Sequence, residues 1–381
     1  MSRKLRVCFL IDSITSPTAG SERQLLMLLE GLDRAEFEPR LCVLQGSDWL
    51  EREFTACPVH TLGISTFKSL SALGSIIRFS RWLRNEKIDI LQVHFRDSSI
   101  VGILAALFAP KVAVLAGRKN QGYWMRRGDM LLTRILNLGV DMFVANSEDT
   151  RRWVMRTEKV PGGKIKVVPN GIDCPKQVMD GGEARMSARK ELDVAEDALL
   201  VGAVSNLRPV KRVDVFVKAA ALVLEQMPET VFAVVGEGEE RGRIEALARE
   251  LGIEGSLRLL GRRLDVPNLL PAFDVGVLTS DSESFSNSLL EFMAAGLPVV
   301  TTNVGGCREA LGESEGGVIV PVGDSREVAR AVLMLLGSQR RRQWARARHP
   351  ARIRELFSRK AYVAGYAALY RGVSPEKGLH S

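Results

Sequence analysis

The chain has 381 residues, 46% hydrophobic and 26% charged, with a net charge of +8. That length exceeds what one ordinary core supports, so two domains are expected. The composition is that of an ordinary globular protein and excludes a disordered or collagen-like chain. Five scattered cysteines (Cys8, Cys42, Cys57, Cys174, Cys307) form no C-x-x-C, which argues against a zinc site or a disulfide framework and for a reduced, cytoplasmic setting. The apolar run Val7 to Ile11 meets Asp12 at once and is too short for a leader's core. Ile100 to Ala109, closed by Pro110 and Lys111, is too short to span a bilayer.

Short apolar runs alternate with helical patterns along the chain. Strands are expected at Leu5–Ile11, Glu38–Leu44, Val59–Leu62, Ile90–His94, Val112–Ala116, Met142–Ala145 and Ile165–Val168, with helices such as Ser21–Leu32 and Ser69–Glu86 between them. This is the βαβ rhythm of a helix-covered parallel sheet. It lapses after Pro169-Asn170-Gly171-Ile172-Asp173. It then restarts at Leu199–Val204, Val231–Val235, Leu257–Leu259, Val275–Leu278, Val299–Thr301 and Val318–Val320. The expected class is α/β with two doubly wound, Rossmann-like domains, residues 1–175 and 176–357. A last helix, about Arg359–Tyr370 within 358–381, is expected to pack back across the first domain.

In the first domain, Ala19-Gly20-Ser21-Glu22-Arg23 joins the first strand to the first helix. Gly20 either lets the backbone approach a phosphate or sugar or belongs to a turn capped by Ser21. His94 ends one strand, and Arg118 and Lys119 end the next. Strand ends are where open parallel sheets bind ligands, which raises the functional odds of a histidine that would otherwise read as structural. Residues 68–134 hold twelve Lys or Arg against four Asp or Glu, interleaved with Phe79, Trp82, Tyr123 and Trp124. An anionic partner is expected there: an acceptor, or an anionic membrane face met by Arg78, Arg81 and Arg84. Arg118, Trp124, Arg126 and Arg127 are placed on the same side. The alternative is that the apolar residues face the sheet and the arginines are solvated. No nucleic-acid motif is present. Arg340-Arg341-Arg342 reads as a solvated helix surface.

In the second domain, Arg208 and Lys211 follow a strand and precede the helix Val213–Leu224. Two cations beside a helix start suit a diphosphate. V-V-G-E-G-E-E carries Gly236 and Gly238, but Arg241 breaks the dinucleotide fingerprint, so the run is read as a tight turn near a ligand. Glu283 and Glu291 stand eight apart in S-E-S-F-S-N-S-L-L-E-F-M-A-A-G-L-P-V-V. Glu283 is expected in a loop after a strand, and Glu291 near the first turn of the helix Ser288–Ala295. A carboxylate is repelled by phosphate, so the pair is read as accepting hydrogen bonds from sugar hydroxyls. Asp281-Ser282-Glu283 lacks the company of a metal site, and no metal is assigned.

In order, G-S-E-R, V-A-N-S-E, V-P-N-G-I-D, L-R-P-V-K, V-V-G-E-G, L-L-G and the E-x7-E run resemble the retaining glycosyltransferases of family 4, over nearly the whole chain. The resemblance implies the GT-B fold, its two domains facing a central cleft, and transfer from a nucleoside-diphosphate sugar without a cofactor. UDP is the family's commonest nucleotide and GDP the alternative. It implies Glu291 on the ribose, Glu283 on the donor sugar, Lys211 on the diphosphate, His94 beside the sugar and the Gly20 backbone on the phosphate. Gly261 and Arg262 would border the base, and Phe285, Ser286, Asn287 and Ser288 would shape the sugar pocket. A glycan or lipid-linked acceptor is implied. Three departures stand out: Asn206 where the family has arginine, leaving Arg208 as the nearest cation; Ser286 where it often has glycine; and Ala19-Gly20 for a glycine pair. Rival expectations are a sugar-nucleotide epimerase on the same scaffold and a non-catalytic nucleotide-sugar-binding protein.

Overall fold

The computed structural model describes residues 3–17, 20–65, 70–119, 127–174 and 182–373. The chain divides into two compact units. One comprises Met1–Gly171 with Arg359–Ser381, the other Ile172–Ser358.

The first unit holds strands β1 (Leu5–Ile11), β2 (Phe37–Val43), β3 (Val59–Thr61), β4 (Ile90–Val93), β5 (Ala113–Arg118), β6 (Met142–Ala145) and β7 (Ile165–Val167). They form one sheet in the order β3-β2-β1-β4-β5-β6-β7, and every pairing is parallel. A parallel sheet needs helices on both faces, so its strands are apolar on both sides. Strand β1 shows this: Cys8 and Leu10 enter one core with Leu91 and Val93. Val7, Phe9 and Ile11 enter the other with Leu28, Phe37, Leu115, Tyr362, Tyr366 and Tyr370. The three tyrosines come from the helix Arg359–Val373, which fills the layer beside the helix Gly20–Gly31.

The second unit holds β8 (Leu200–Val204), β9 (Val231–Val235), β10 (Leu257–Leu259), β11 (Val275–Leu278), β12 (Val299–Thr302) and β13 (Gly317–Val320). Their order is β10-β9-β8-β11-β12-β13, again all parallel. Both sheets reverse their strand order once, between β1 and β4 and between β8 and β11. Beyond the carboxyl ends of the strands at such a reversal lies the crevice where open α/β sheets bind ligands.

The helix Gln339–Leu356 closes the second unit and carries one buried histidine, His349. The Leu297 carbonyl can only accept, so Nδ1 of His349 donates to it at 2.8 Å, and Nε2 accepts from the Ser314 hydroxyl at 2.7 Å. Burial pulls its pKa down to about 4. An unfolded chain takes up this proton near the ordinary value of about 6.5. The stability contributed is therefore present above pH 6.5 and lost as pH falls towards 4. Wild type should lose about 3 kcal/mol more than His349→Gln over that window. Denaturation curves at several pH values check this; parallel pH dependences would refute it.

Candidate active site

In the second unit, loops after β8, β9, β11 and β12 converge. After β8 the chain passes Asn206 and Arg208, both exposed, and makes a 3-10 turn at Pro209–Lys211. Arg212 then takes a left-handed φ of 48° and opens the helix Val213–Leu224. The turn is tied across to the loop after β11: the Asp281 N–H donates to the Val210 carbonyl at 2.9 Å. The Thr279 hydroxyl donates to the Lys211 carbonyl at 3.1 Å. So fixed, the Lys211 ammonium reaches Glu283 Oε1 at 2.6 Å, and the Ser280 hydroxyl donates to that same oxygen at 2.7 Å. A cation and a carboxylate thus stand side by side at the strand reversal, each partly exposed.

Three glycine positions build this wall. A Cβ on Gly305, whose φ is +47°, would lie 1.9 Å from the Glu283 carbonyl oxygen. The Gly306 N–H donates to the Ser284 carbonyl at 2.9 Å. At Gly236, φ is +146° and a Cβ would fall 2.0 Å from the Ser205 carbonyl oxygen. Its neighbour Gly238 lies so close to Leu207 that a Cβ would meet the carbonyl oxygen at 2.4 Å. These glycines therefore serve loop-to-loop packing. Gly236 also donates to the Gly261 carbonyl at 2.8 Å, which places Gly261 and the exposed Arg262 on the same rim.

After Glu283 comes Phe285, buried against Phe357 with ring centroids 5.4 Å apart. The helix that follows is Asn287–Ala294, one residue earlier than expected. Ser286 is its N-cap, with its hydroxyl accepting from the Leu289 N–H at 3.4 Å. The hydroxyl expected in a sugar pocket thus also caps the helix start, and accepting that bond leaves its own proton to donate. Asn287 and Ser288 form the first turn, both half-buried. Glu291 follows directly on that first turn and is buried.

In the first unit, a cavity of about 420 Å³ opens at the ends of β1, β4 and β5, lined by Asp12, Ser21, His94, Gly117, Lys119 and Glu158 among others. Gly20 opens the helix that brings Ser21 to it. His94 is buried, and Phe95 beside it takes a φ of 49°, a conformation a bulky residue adopts only under constraint. Burial, aided by the Lys119 charge, holds the His94 pKa well below 6.5, so its ring is neutral. Burial also lowers Lys119, to about 8.

Sequence reasoning missed three cavity residues. Asp12 caps the helix Arg96–Leu107 through the Ser98 N–H at 2.8 Å, and burial raises its pKa. Glu158 and Asn137 were missed because their partner is distant in sequence. Glu158 accepts from Arg118 Nε at 2.9 Å, and Asn137 Oδ1 accepts from Arg118 Nη2 at 2.8 Å. Arg118 therefore does not offer its charge to a membrane: it is turned inward, 13% exposed, onto a carboxylate that is 2% exposed. In the helix Leu70–Asn85, Arg78, Arg81 and Arg84 are exposed while Ile76, Phe79 and Leu83 are buried. Trp124 and Arg126, with the side chain of Arg127, lie outside the described residues. Among the described residues, no three His, Cys, Asp or Glu side chains gather as metal ligands, and no helix is long and apolar enough to cross a membrane.

Two parallel-sheet Rossmann-like domains with this loop arrangement define the GT-B class of glycosyltransferase. HepE (Alr3699) of Anabaena, solved with UDP, has the same fold: TM-score 0.84 at 20% identity, covering 97% of this chain and 100% of HepE. A family model described as glycosyl transferases group 1 matches residues 185–349, and one described as glycosyltransferase family 4 matches residues 18–176. The lipopolysaccharide core biosynthesis glycosyltransferase LpsE of Rhizobium meliloti (strain 1021) is 31% identical over 355 residues, 92% of this chain and 95% of LpsE. UDP-Gal:alpha-D-GlcNAc-diphosphoundecaprenol alpha-1,3-galactosyltransferase of Escherichia coli is 29% identical over 307 residues, 76% of this chain and 77% of that enzyme. The chain belongs to the group 1, family 4 glycosyltransferases.

Proposed function

We propose that this glycosyltransferase moves a sugar from a UDP-sugar to a hydroxyl of a lipid-linked or cell-envelope acceptor, with retention at the anomeric carbon and no divalent metal. The observation that carries the reading is the Lys211–Glu283 pair at the β8/β11 reversal. Lys211, with Arg208 and the start of the helix Val213–Leu224, supplies positive charge where a diphosphate departs. Glu283 supplies an acceptor for sugar hydroxyls, and Glu291 one for the ribose. Gly261 and Arg262 border the base, and Phe285, Asn287 and Ser288 flank the sugar. His94 stands beside the donor sugar, and the first unit's cavity serves the acceptor side. UDP stands ahead of GDP because UDP appears with HepE and in the name of the E. coli relative. Epimerase and non-catalytic readings are not favoured, since the relatives are transferases.

The test is a panel of UDP- and GDP-sugars offered with a diphosphate-lipid-linked saccharide, the product's anomeric configuration being read from its proton coupling. Inversion, or isomerisation of the donor without an acceptor, would sink the proposal.

The same reading includes docking on an anionic bilayer, through the exposed Arg78, Arg81 and Arg84 and a second candidate surface nearby. In the helix Arg127–Leu136 and the turn after it, Leu131, Ile135 and Leu138 are 62%, 57% and 84% exposed. Arg134 lies exposed among them. Spaced for one helical stripe, they suit shallow insertion, with the segment's excess of cations drawn to acidic headgroups. Sedimentation should rise with the acidic lipid fraction and fall with salt, and Leu131→Ser with Ile135→Ser should abolish it. Binding that ignores lipid charge, or no binding, would remove this part.

A further inference from the structure

His94 shares its strand face with Gln92, two residues earlier, because side chains alternate across a sheet. That face meets the core containing Phe9, Leu115 and the tyrosines of the helix Arg359–Val373. Gln92 is fully buried in an otherwise apolar strand, so both ends of its amide need partners. The Tyr370 hydroxyl donates to Gln92 Oε1 at 2.5 Å. The amide's other end, Nε2, lies 3.3 Å from His94 Nε2.

We propose that Tyr370 and Gln92 are positioning residues for sugar transfer: together they fix His94 as the tautomer protonated on Nδ1. The logic is one of donors and acceptors. The Tyr370 hydroxyl is fully buried, and its proton goes to the Gln92 carbonyl oxygen. That choice turns the amide nitrogen, which can only donate, towards the imidazole. His94 Nε2 must therefore accept, and the ring proton resides on Nδ1. A Cβ placed on Gly117 would lie 3.7 Å from Nδ1, and Gly117 and His94 both line the 420 Å³ cavity. The missing side chain at Gly117 leaves that ring edge accessible. His94 thus presents a fixed N–H donor to a hydroxyl of the bound sugar or acceptor and does not serve as a base. This role rests on the proposed function, whereas the tautomer does not.

The experiment is ¹⁵N-histidine NMR of the full chain together with transfer kinetics. In wild type, His94 should show a protonated Nδ1 and an unprotonated Nε2. Tyr370→Phe keeps the ring that packs edge-on against Phe9 and Phe37, at 6.2 Å and 5.9 Å, but removes the donor to Gln92 Oε1. Because the Tyr366 hydroxyl also hydrogen-bonds to Gln92, the variant is made alone and together with Tyr366→Phe, which frees the amide to turn over. The Nε2-protonated form should then appear, with kcat lower by about tenfold, the worth of one neutral hydrogen bond, and donor KM unchanged. Gln92→Glu places acceptors towards both partners and should drive His94 wholly to the Nε2-protonated form with a larger loss of kcat. An Nε2-protonated His94 in wild type, or no tautomer change in either variant, would overturn the relay. A tautomer change that leaves transfer untouched would overturn its role in the reaction. If wild type transfers no sugar at all, the proposed function fails while the NMR still reads the relay.

Discussion

Lys211→Ala is expected to lower kcat/KM for transfer by about a hundredfold to a thousandfold, the usual effect of removing one donor aimed at charge that grows in a transition state. The reason lies in the loop geometry. Lys211 is held by the 3-10 turn Pro209–Lys211 and by the Thr279 hydroxyl on its carbonyl, so little ordering is needed when a diphosphate arrives. Its ammonium is 2.6 Å from Glu283. On the proposed reading, a bound donor draws the ammonium to phosphate and the carboxylate to sugar hydroxyls, and the pair loosens. Lys211→Ala removes the phosphate contact and also leaves Glu283 without its cation. The UDP affinity should fall alongside kcat/KM, and Lys211→Arg should rescue only partly, since a planar fork does not replace a point charge. Titration calorimetry with UDP and steady-state kinetics check both. A variant within about twofold of wild type in both would show that Lys211 is not the diphosphate's partner.

The largest stability effect is expected at Asp274→Ala, a loss of about 3–5 kcal/mol, as when a buried ion pair loses one partner. Asp274 precedes β11 and is buried. Its Oδ1 accepts from Arg185 Nη2 at 2.7 Å. Its Oδ2 accepts from Arg189 Nη2 at 2.8 Å and from the Leu200 N–H at 2.9 Å. Arg189 is 2% exposed, and burial, with Arg185 beside it, disfavours its charged form. Alanine would leave that charge inside the second unit with three carbonyls for company: those of Ala195, Glu196 and Ala198. The same carboxylate anchors the start of β8, and so the strand that leads to Lys211. Asp274→Asn, which keeps the shape but not the charge, should fall between the two. Chemical denaturation decides; a loss below about 1 kcal/mol for alanine would mean that the arginines re-pair at the surface.

The β-strands were legible in the sequence because parallel strands buried on both faces are short, continuous apolar runs. β1, β6, β9, β10 and β11 have the expected ends. The residues of the second unit's rim were picked out for a different reason: Lys211, Gly236 and Glu283 keep the order and spacing of a known family, and Glu291, picked out with them, is buried in its helix. What escaped depends on partners far along the chain. Arg118 looked like a free cation in a basic segment, but Glu158 neutralises it from forty positions away. Gln92 carried no motif at all. Its meaning comes from Tyr370, which the chain reaches only after building the whole second unit. The exposed stripe at Leu131 and Ile135 lies in the same basic segment, but which face of a helix stays uncovered depends on what packs against it, which sequence does not state. Ser286 stood out as a departure from glycine, yet its backbone role as a cap requires knowing where the helix starts.

The return of the helix Arg359–Val373 to the first unit also sets an order of assembly. A ribosome makes residues 172–358 as one contiguous unit, able to close its cores as it emerges. The first unit, though made earlier, must wait with Phe9, Phe37 and Leu28 uncovered on one face until Tyr362, Tyr366 and Tyr370 arrive to fill it. Until then the chain carries an open apolar layer and an untethered Gln92. A nascent or clipped chain would thus own a finished second unit before it owned an oriented His94, so sugar transfer would begin only after that last helix had docked.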